Sequence, residues 1–126
     1  MQARIVFLDD NEDLRDLLPV VLKSALGIDC VCFGNLADLQ NHLSEVLEAD
    51  VAILDINLGF DAPDGIDAFY WLMDHGFQGK ALFLTGHARS NPQLVEAERN
   101  GAEILEKPLH PEQLISSVTR ALRKAA

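Results

Sequence analysis

Cysteine is almost missing from this chain: Cys30 and Cys32 are the only two in 126 residues. Neighbours two apart on a strand make a poor disulfide, and a C-x-C without further cysteine or a nearby histidine cannot complete a zinc site. A disulfide scaffold and a zinc module are therefore both excluded. Strand alternation puts the two thiols on one face, where they read as plain buried thiols in a reducing compartment. Positive charge is also scarce. Ten basic residues stand against twenty acidic ones, a formal net charge of −10. Such a balance repels phosphate backbones, so direct nucleic-acid binding is not expected and the partners are expected to be proteins. Long apolar runs are missing too, all falling far short of the roughly 20 residues of a membrane span. No signal peptide is expected at the start, because Asp9 and Asp10 interrupt soon after Arg4. The expected location is the cytoplasm, away from any membrane. Internal repeats, low-complexity segments and linker-like Gly, Ser or Pro stretches are missing as well, and the length suits a single domain over residues 1–126.

What the chain does have is a rhythm. Short apolar runs at Arg4–Leu8, Asp29–Phe33, Val51–Leu54, Ala81–Leu84 and Glu103–Glu106 read as buried strands. Longer amphipathic stretches between them predict helices at about Glu12–Leu26, Leu36–Leu47, Ile66–His75, Pro92–Asn100 and Pro111–Lys124. Asn11 and Asn35 can cap helix starts, Pro92 and Pro111 occupy first-turn positions, and Gly27, Gly76 and Gly101 follow helix ends. Pro19 lies inside the first helix, where it removes a backbone hydrogen bond and should produce a kink. This alternation predicts an α/β fold: a five-stranded parallel sheet, doubly wound and flavodoxin-like, with strand order 2-1-3-4-5.

In open α/β sheets the site forms at the carboxyl ends of the strands. Four of the five runs end in a reactive group: RIVFL runs into Asp9 and Asp10, VAIL into Asp55, ALFL into Thr85, and the last strand into Lys107. Singly, each reads as a turn, a cap or a solvated loop residue. Together they bring three carboxylates, a hydroxyl and an ammonium around one crevice. Clustered carboxylates raise one another's pKa unless a cation sits among them, and magnesium, a hard ion that prefers oxygen ligands, suits the set.

The DD pair after the first strand, the DIN after the third, the TG after the fourth and the GAEILEKP around the fifth resemble the receiver domain of two-component response regulators over essentially the whole chain. That resemblance implies a phosphoacceptor signalling domain rather than an enzyme, limited to self-phosphotransfer and slow autodephosphorylation. It implies that Asp55 accepts a phosphoryl group from a sensor histidine kinase or phosphotransfer protein. Asp10 and Asp55 would hold Mg2+ through their carboxylates, Asp9 through water and Asn57 through its backbone carbonyl. Thr85 would hydrogen-bond the phosphoryl oxygens, and Lys107 would pair with them. The output would be a switched surface for a downstream effector protein.

The sequence also departs from the family pattern. Gly59 stands where receivers usually carry proline, and the aspartate-glycine turn comes late, at Asp64-Gly65, so the Gly59–Pro63 loop beside the nucleophile is long. Ile104 occupies a position commonly aromatic, so the resemblance implies either readout through backbone shifts of the Pro92–Asn100 helix or a weak readout. Asn57 and His87 stand at positions that tune acyl-phosphate hydrolysis in the family. In the Ile66–His75 helix, phase places Ile66, Phe69, Leu72 and Met73 toward the sheet and Trp71 on the other side with Asp67, Asp74 and His75, with Tyr70 at the margin. Trp71 is then a candidate anchor for self-association or partner binding; the alternative is that it folds over a neighbouring element.

Three rivals bound this reading. A haloacid-dehalogenase phosphatase needs a general acid two residues after its nucleophile, where this chain has Asn57. A flavin-binding module needs a phosphate cradle after the first strand, where this chain has Asp9, Asp10, Glu12 and Asp13. A degenerate receiver, acting as a phosphorylation-independent interaction module, would keep the fold alone.

Overall fold

The computed structural model describes residues 4–56, 65–86, 92–107 and 110–125. Five strands, β1 (Arg4–Leu8), β2 (Asp29–Phe33), β3 (Val51–Asp55), β4 (Lys80–Thr85) and β5 (Glu103–Glu106), pair in parallel in the order β2-β1-β3-β4-β5. The helices are α1 (Glu12–Leu26), α2 (Leu36–Gln40), α3 (Leu43–Leu47), α4 (Gly65–Asp74), α5 (Pro92–Arg99) and α6 (Pro111–Ala125).

Strand alternation sorts the core into two layers. Val6, Leu8, Ala52, Leu54, Ala81 and Phe83 face the side covered by α2 to α5, whereas Ile5, Phe7, Val51, Ile53, Leu82 and Leu84 face α1 and α6. The three central strands, covered on both sides, are the continuous apolar runs; edge strand β2 is half-buried along most of its length. Both cysteines lie on the α1 side, half-buried rather than fully buried.

Local signals hold at the helix ends. The Asn11 and Asn35 side chains accept from the backbone N–H groups of Leu14 and Asp38, and Gly27 closes α1 in the left-handed region, at φ 68°. Pro19 sits inside α1, which runs unbroken from Glu12 to Leu26. The carbonyl that Pro19 cannot satisfy belongs to Arg15, and the Cys32 thiol donates to it at 3.5 Å.

Two expectations need correction. The single helix expected over Leu36–Leu47 is two short helices broken at Asn41 and His42. His42 leaves helical geometry because its ring Nδ1 lies 2.8 Å from the Asp38 carbonyl, the acceptor its own N–H would use in a continuous helix. Its ring then tilts against Phe33.

The second correction is the phase of α4. Ile66, Phe69 and Leu72 are buried as expected, but Met73 is 51% exposed, and Trp71 is half-buried against the core with its ring 4.3 Å from that of His75. Tyr70 stays marginal, at 38% exposure. Gly65 and Ala68 decide this rotation. They add little to an apolar stripe, yet both are buried, and a Cβ on Gly65 would lie 2.4 Å from the Asp55 carbonyl oxygen. Closest approach to the sheet therefore falls on the small residues, which lifts Met73 out and brings Trp71 down. Trp71→Ala should accordingly cost about 2 kcal/mol of folding stability by urea unfolding, less than a fully buried tryptophan. A loss below about 0.5 kcal/mol, the range of an ordinary surface substitution, would return Trp71 to the surface.

Candidate metal and phosphoryl site

The site is assembled where β1, β3, β4 and β5 end. Asp9 follows β1, Asp55 and Thr85 are the last residues of β3 and β4, and Lys107 follows β5. Backbone pairing runs past the strand ends: Ile56 N–H donates to the Leu84 carbonyl at 3.0 Å, and Lys107 N–H to that of Thr85 at 2.8 Å. The side chains are thus fixed by the sheet rather than by loops.

Asp9 and Asp55 are almost completely buried, Thr85 is buried beside them, and Asp10 is exposed. Carboxylate oxygens of Asp9, Asp10 and Asp55 all lie within 4.8 Å of one another. Lys107 reaches into the group, its Nζ 3.1 Å from Asp55 Oδ1 and 3.6 Å from Asp9 Oδ2. Asp9 is anchored on three sides: its N–H donates to the Phe33 carbonyl, its Oδ1 accepts from Asn11 N–H, and its carbonyl accepts from the Arg15 guanidinium at 2.8 Å. Asp9 Oδ2 is buried with no hydrogen-bond donor among the described residues.

Every expected site residue within the described part of the chain is therefore brought together: Asp9, Asp10, Asp55, Thr85 and Lys107. Asn57, His87 and the Gly59–Pro63 loop lie outside the described residues. Sequence reasoning missed Arg15 and Gly65. Both act on backbone carbonyls of the site, and nothing in residue spacing marks such a contact. Gly65 alone had a trace, as the late aspartate-glycine turn.

The donor set fits magnesium. Three acidic side chains converge, one is open to solvent, and a buried carboxylate oxygen lacks a donor. Burial, then the neighbouring Asp9 charge, push the Asp55 pKa up from 3.8 to about 6, against the downward pull of Lys107. A carboxyl with a raised folded pKa holds its proton more tightly when folded. Stability is therefore greatest below pH 3.8 for this group and falls as pH rises to about 6. Without metal, ionised Asp55 should cost the fold up to about 3 kcal/mol at neutral pH. Asp55→Asn should then be more stable than wild type in chelator at pH 7.5, with the gap closing toward pH 4. Equal stability across that range in urea titrations would show that Asp55 carries no such penalty.

Comparison with known proteins agrees with this geometry. The family model described as response regulator receiver domain matches residues 5–119. The tetrathionate response regulatory protein TtrR of Salmonella typhimurium is 32% identical over 121 residues, covering 95% of this chain and 56% of that protein. The transcriptional regulatory protein YvcP of Bacillus subtilis is 27% identical over 123 residues, covering 96% of this chain and 49% of that protein. The chain thus spans about half the length of these curated relatives. Among solved structures, the receiver domain of NtrX from Brucella abortus superposes with a TM-score of 0.80 at 26% identity, covering 94% of this chain and 98% of that one. A CheY-like receiver domain from Methanospirillum hungatei shares the fold with a TM-score of 0.83 at 21% identity, covering 99% and 97% of the two chains. With one family matched from β1 into α6, the chain belongs to the response regulator receiver domains of two-component signalling.

Proposed function

We propose that this receiver accepts a phosphoryl group on Asp55 from a sensor histidine kinase or phosphotransfer protein, in a magnesium-dependent reaction. The observation that carries the reading is the meeting of a buried Asp55 carboxylate with the Lys107 ammonium at 3.1 Å and with the Asp9 and Asp10 carboxylates within 4.8 Å. Asp55 supplies the nucleophilic oxygen. It forms the new O–P bond as the bond from phosphorus to the donor nitrogen breaks, and the electron pair leaves with the donor imidazole. Lys107, already against Asp55, pairs with the incoming phosphoryl oxygens as a point charge. Thr85, buried at the end of β4, offers its hydroxyl to the same oxygens. Asp10 and Asp55 would hold the metal directly, Asp9 through water and Asn57 through its carbonyl. Bound magnesium would offset the carboxylate charge and that of the transferring group.

Residues 1–126 would act as one receiver domain, working in the cytoplasm. No described helix is long and apolar enough to cross a membrane. The fold is that of signalling proteins rather than of a catalytic enzyme family, and turnover would be limited to self-phosphotransfer and slow hydrolysis of the acyl phosphate. The output is a protein surface read by a downstream effector, not nucleic acid, given the net charge of −10. Ile104, half-buried against the core and paired with Phe83 on β4, would couple the site to α5 through backbone displacement rather than through a swinging aromatic ring.

Incubation with magnesium and acetyl phosphate should add the mass of one phosphoryl group, and Asp55→Asn should abolish the adduct. Undiminished labelling of that variant would place the acceptor elsewhere. Calorimetric titration should show magnesium affinity lost in Asp10→Ala and retained in Lys107→Ala. An Asp10→Ala protein that binds as tightly as wild type would remove Asp10 from the ligand set.

A further inference from the structure

Arg15 is used by none of the chemistry above, yet its contacts converge on the acidic pocket. Its Nη1 donates to the Asp9 carbonyl at 2.8 Å. The guanidinium lies over Gly34, immediately after β2, where a Cβ would stand 3.1 Å from Nη1 and 3.4 Å from Cζ. Its own carbonyl, left without a helical donor by Pro19, is taken by the Cys32 thiol at 3.5 Å. Backbone and side chain of Arg15 are thus tied to β2 on one side and to the end of β1 on the other.

We propose that Arg15 is a positioning residue for the magnesium pocket: it pins the peptide between Asp9 and Asp10, and Gly34 keeps open the space its guanidinium needs. The inference rests on the magnesium-dependent reading above. The Asp9 carbonyl and the Asp10 N–H belong to one rigid peptide plane, so fixing the carbonyl direction fixes where the Asp10 backbone begins. Asp10 is the exposed member of the acidic group and has the most freedom to swing away from two like charges. The Arg15 contact opposes that swing while leaving every carboxylate oxygen available, because it is made to a backbone oxygen. Carboxylate oxygens of Asp9, Asp10 and Asp55 then stay within 4.8 Å of one another. Residues that orient ligands in this way typically matter by a factor of ten or more.

A guanidinium near the site also repels a cation, so the test must separate position from charge. Gly34→Val displaces the guanidinium but keeps its charge, and Gly34 has no left-handed backbone to strain. Magnesium affinity is read by calorimetry and by the magnesium-dependent rise in Tm, with amide exchange of Asp10 and Asn11 followed by NMR. Gly34→Val and Arg15→Met should each weaken magnesium binding roughly tenfold and speed exchange at those two amides. The double variant should add nothing to Arg15→Met, since both changes remove one contact. Arg15→Lys, which keeps a charge and one donor, should recover most of the affinity; should Arg15→Met not fold, Gly34→Val carries the test. Unchanged affinity in Gly34→Val, or tighter binding in Arg15→Met, would overturn the proposal and leave Arg15 as a nearby charge. Wild type failing to bind magnesium would instead bring down the metal reading beneath it.

Discussion

Two buried carboxylates at the end of a parallel sheet, with the Lys107 ammonium against both, set the terms for the rest of this molecule. Unit charges about 4 Å apart interact by about 4 kcal/mol at the effective dielectric of a protein surface, and by more as water is withdrawn. Asp9 and Asp55 are withdrawn from water almost completely, and Lys107 serves both. One proton, one divalent cation or one phosphoryl group with its cation can each relieve the imbalance. The raised pKa of Asp55 expresses the first option. Signalling would use the others, and the metal-free fold is held together against this repulsion.

What resists the repulsion is backbone. β1, β3, β4 and β5 deliver their terminal residues to the same end because they are parallel and in register, and the pairing from Ile56 to Leu84 and from Lys107 to Thr85 continues beyond the strands. Asp9 has its N–H, carbonyl and one carboxylate oxygen already engaged, leaving Oδ2 toward the shared pocket. Such preorganisation lowers the reorganisation needed when charge arrives. Gly65 extends the same logic to the opposite side of the site, where α4 comes so close to the Asp55 carbonyl that no side chain fits.

The two faces of the sheet are built differently. On the α1 and α6 side, long amphipathic helices present regular stripes of Leu and Val, and the packing follows the periodicity. On the other side, α2 and α3 are one turn each, and α4 approaches through Gly65 and Ala68. Small residues and a histidine that competes for a helical carbonyl set this layer, and it is here that periodicity misjudged both the break at His42 and the rotation that buries part of Trp71.

The strands were legible from the sequence because doubly covered strands must be continuously apolar, and the helix starts were legible because Asn11 and Asn35 satisfy a local demand for an acceptor. The site was legible because each of its residues directly follows, or ends, an apolar run, so strand order alone brings Asp9, Asp55, Thr85 and Lys107 to one crevice. These are properties of neighbouring residues, and a linear sequence carries them. The rotation of α4, the capture of the Arg15 carbonyl by the Cys32 thiol, and the grip of Arg15 on Asp9 were decided only by the tertiary structure. The first depends on how closely Gly65 lets two backbones approach, the last on the space that Gly34 leaves for the guanidinium, and the thiol contact on where α1 lies against β2; glycines leave no hydrophobic or charged mark in the sequence.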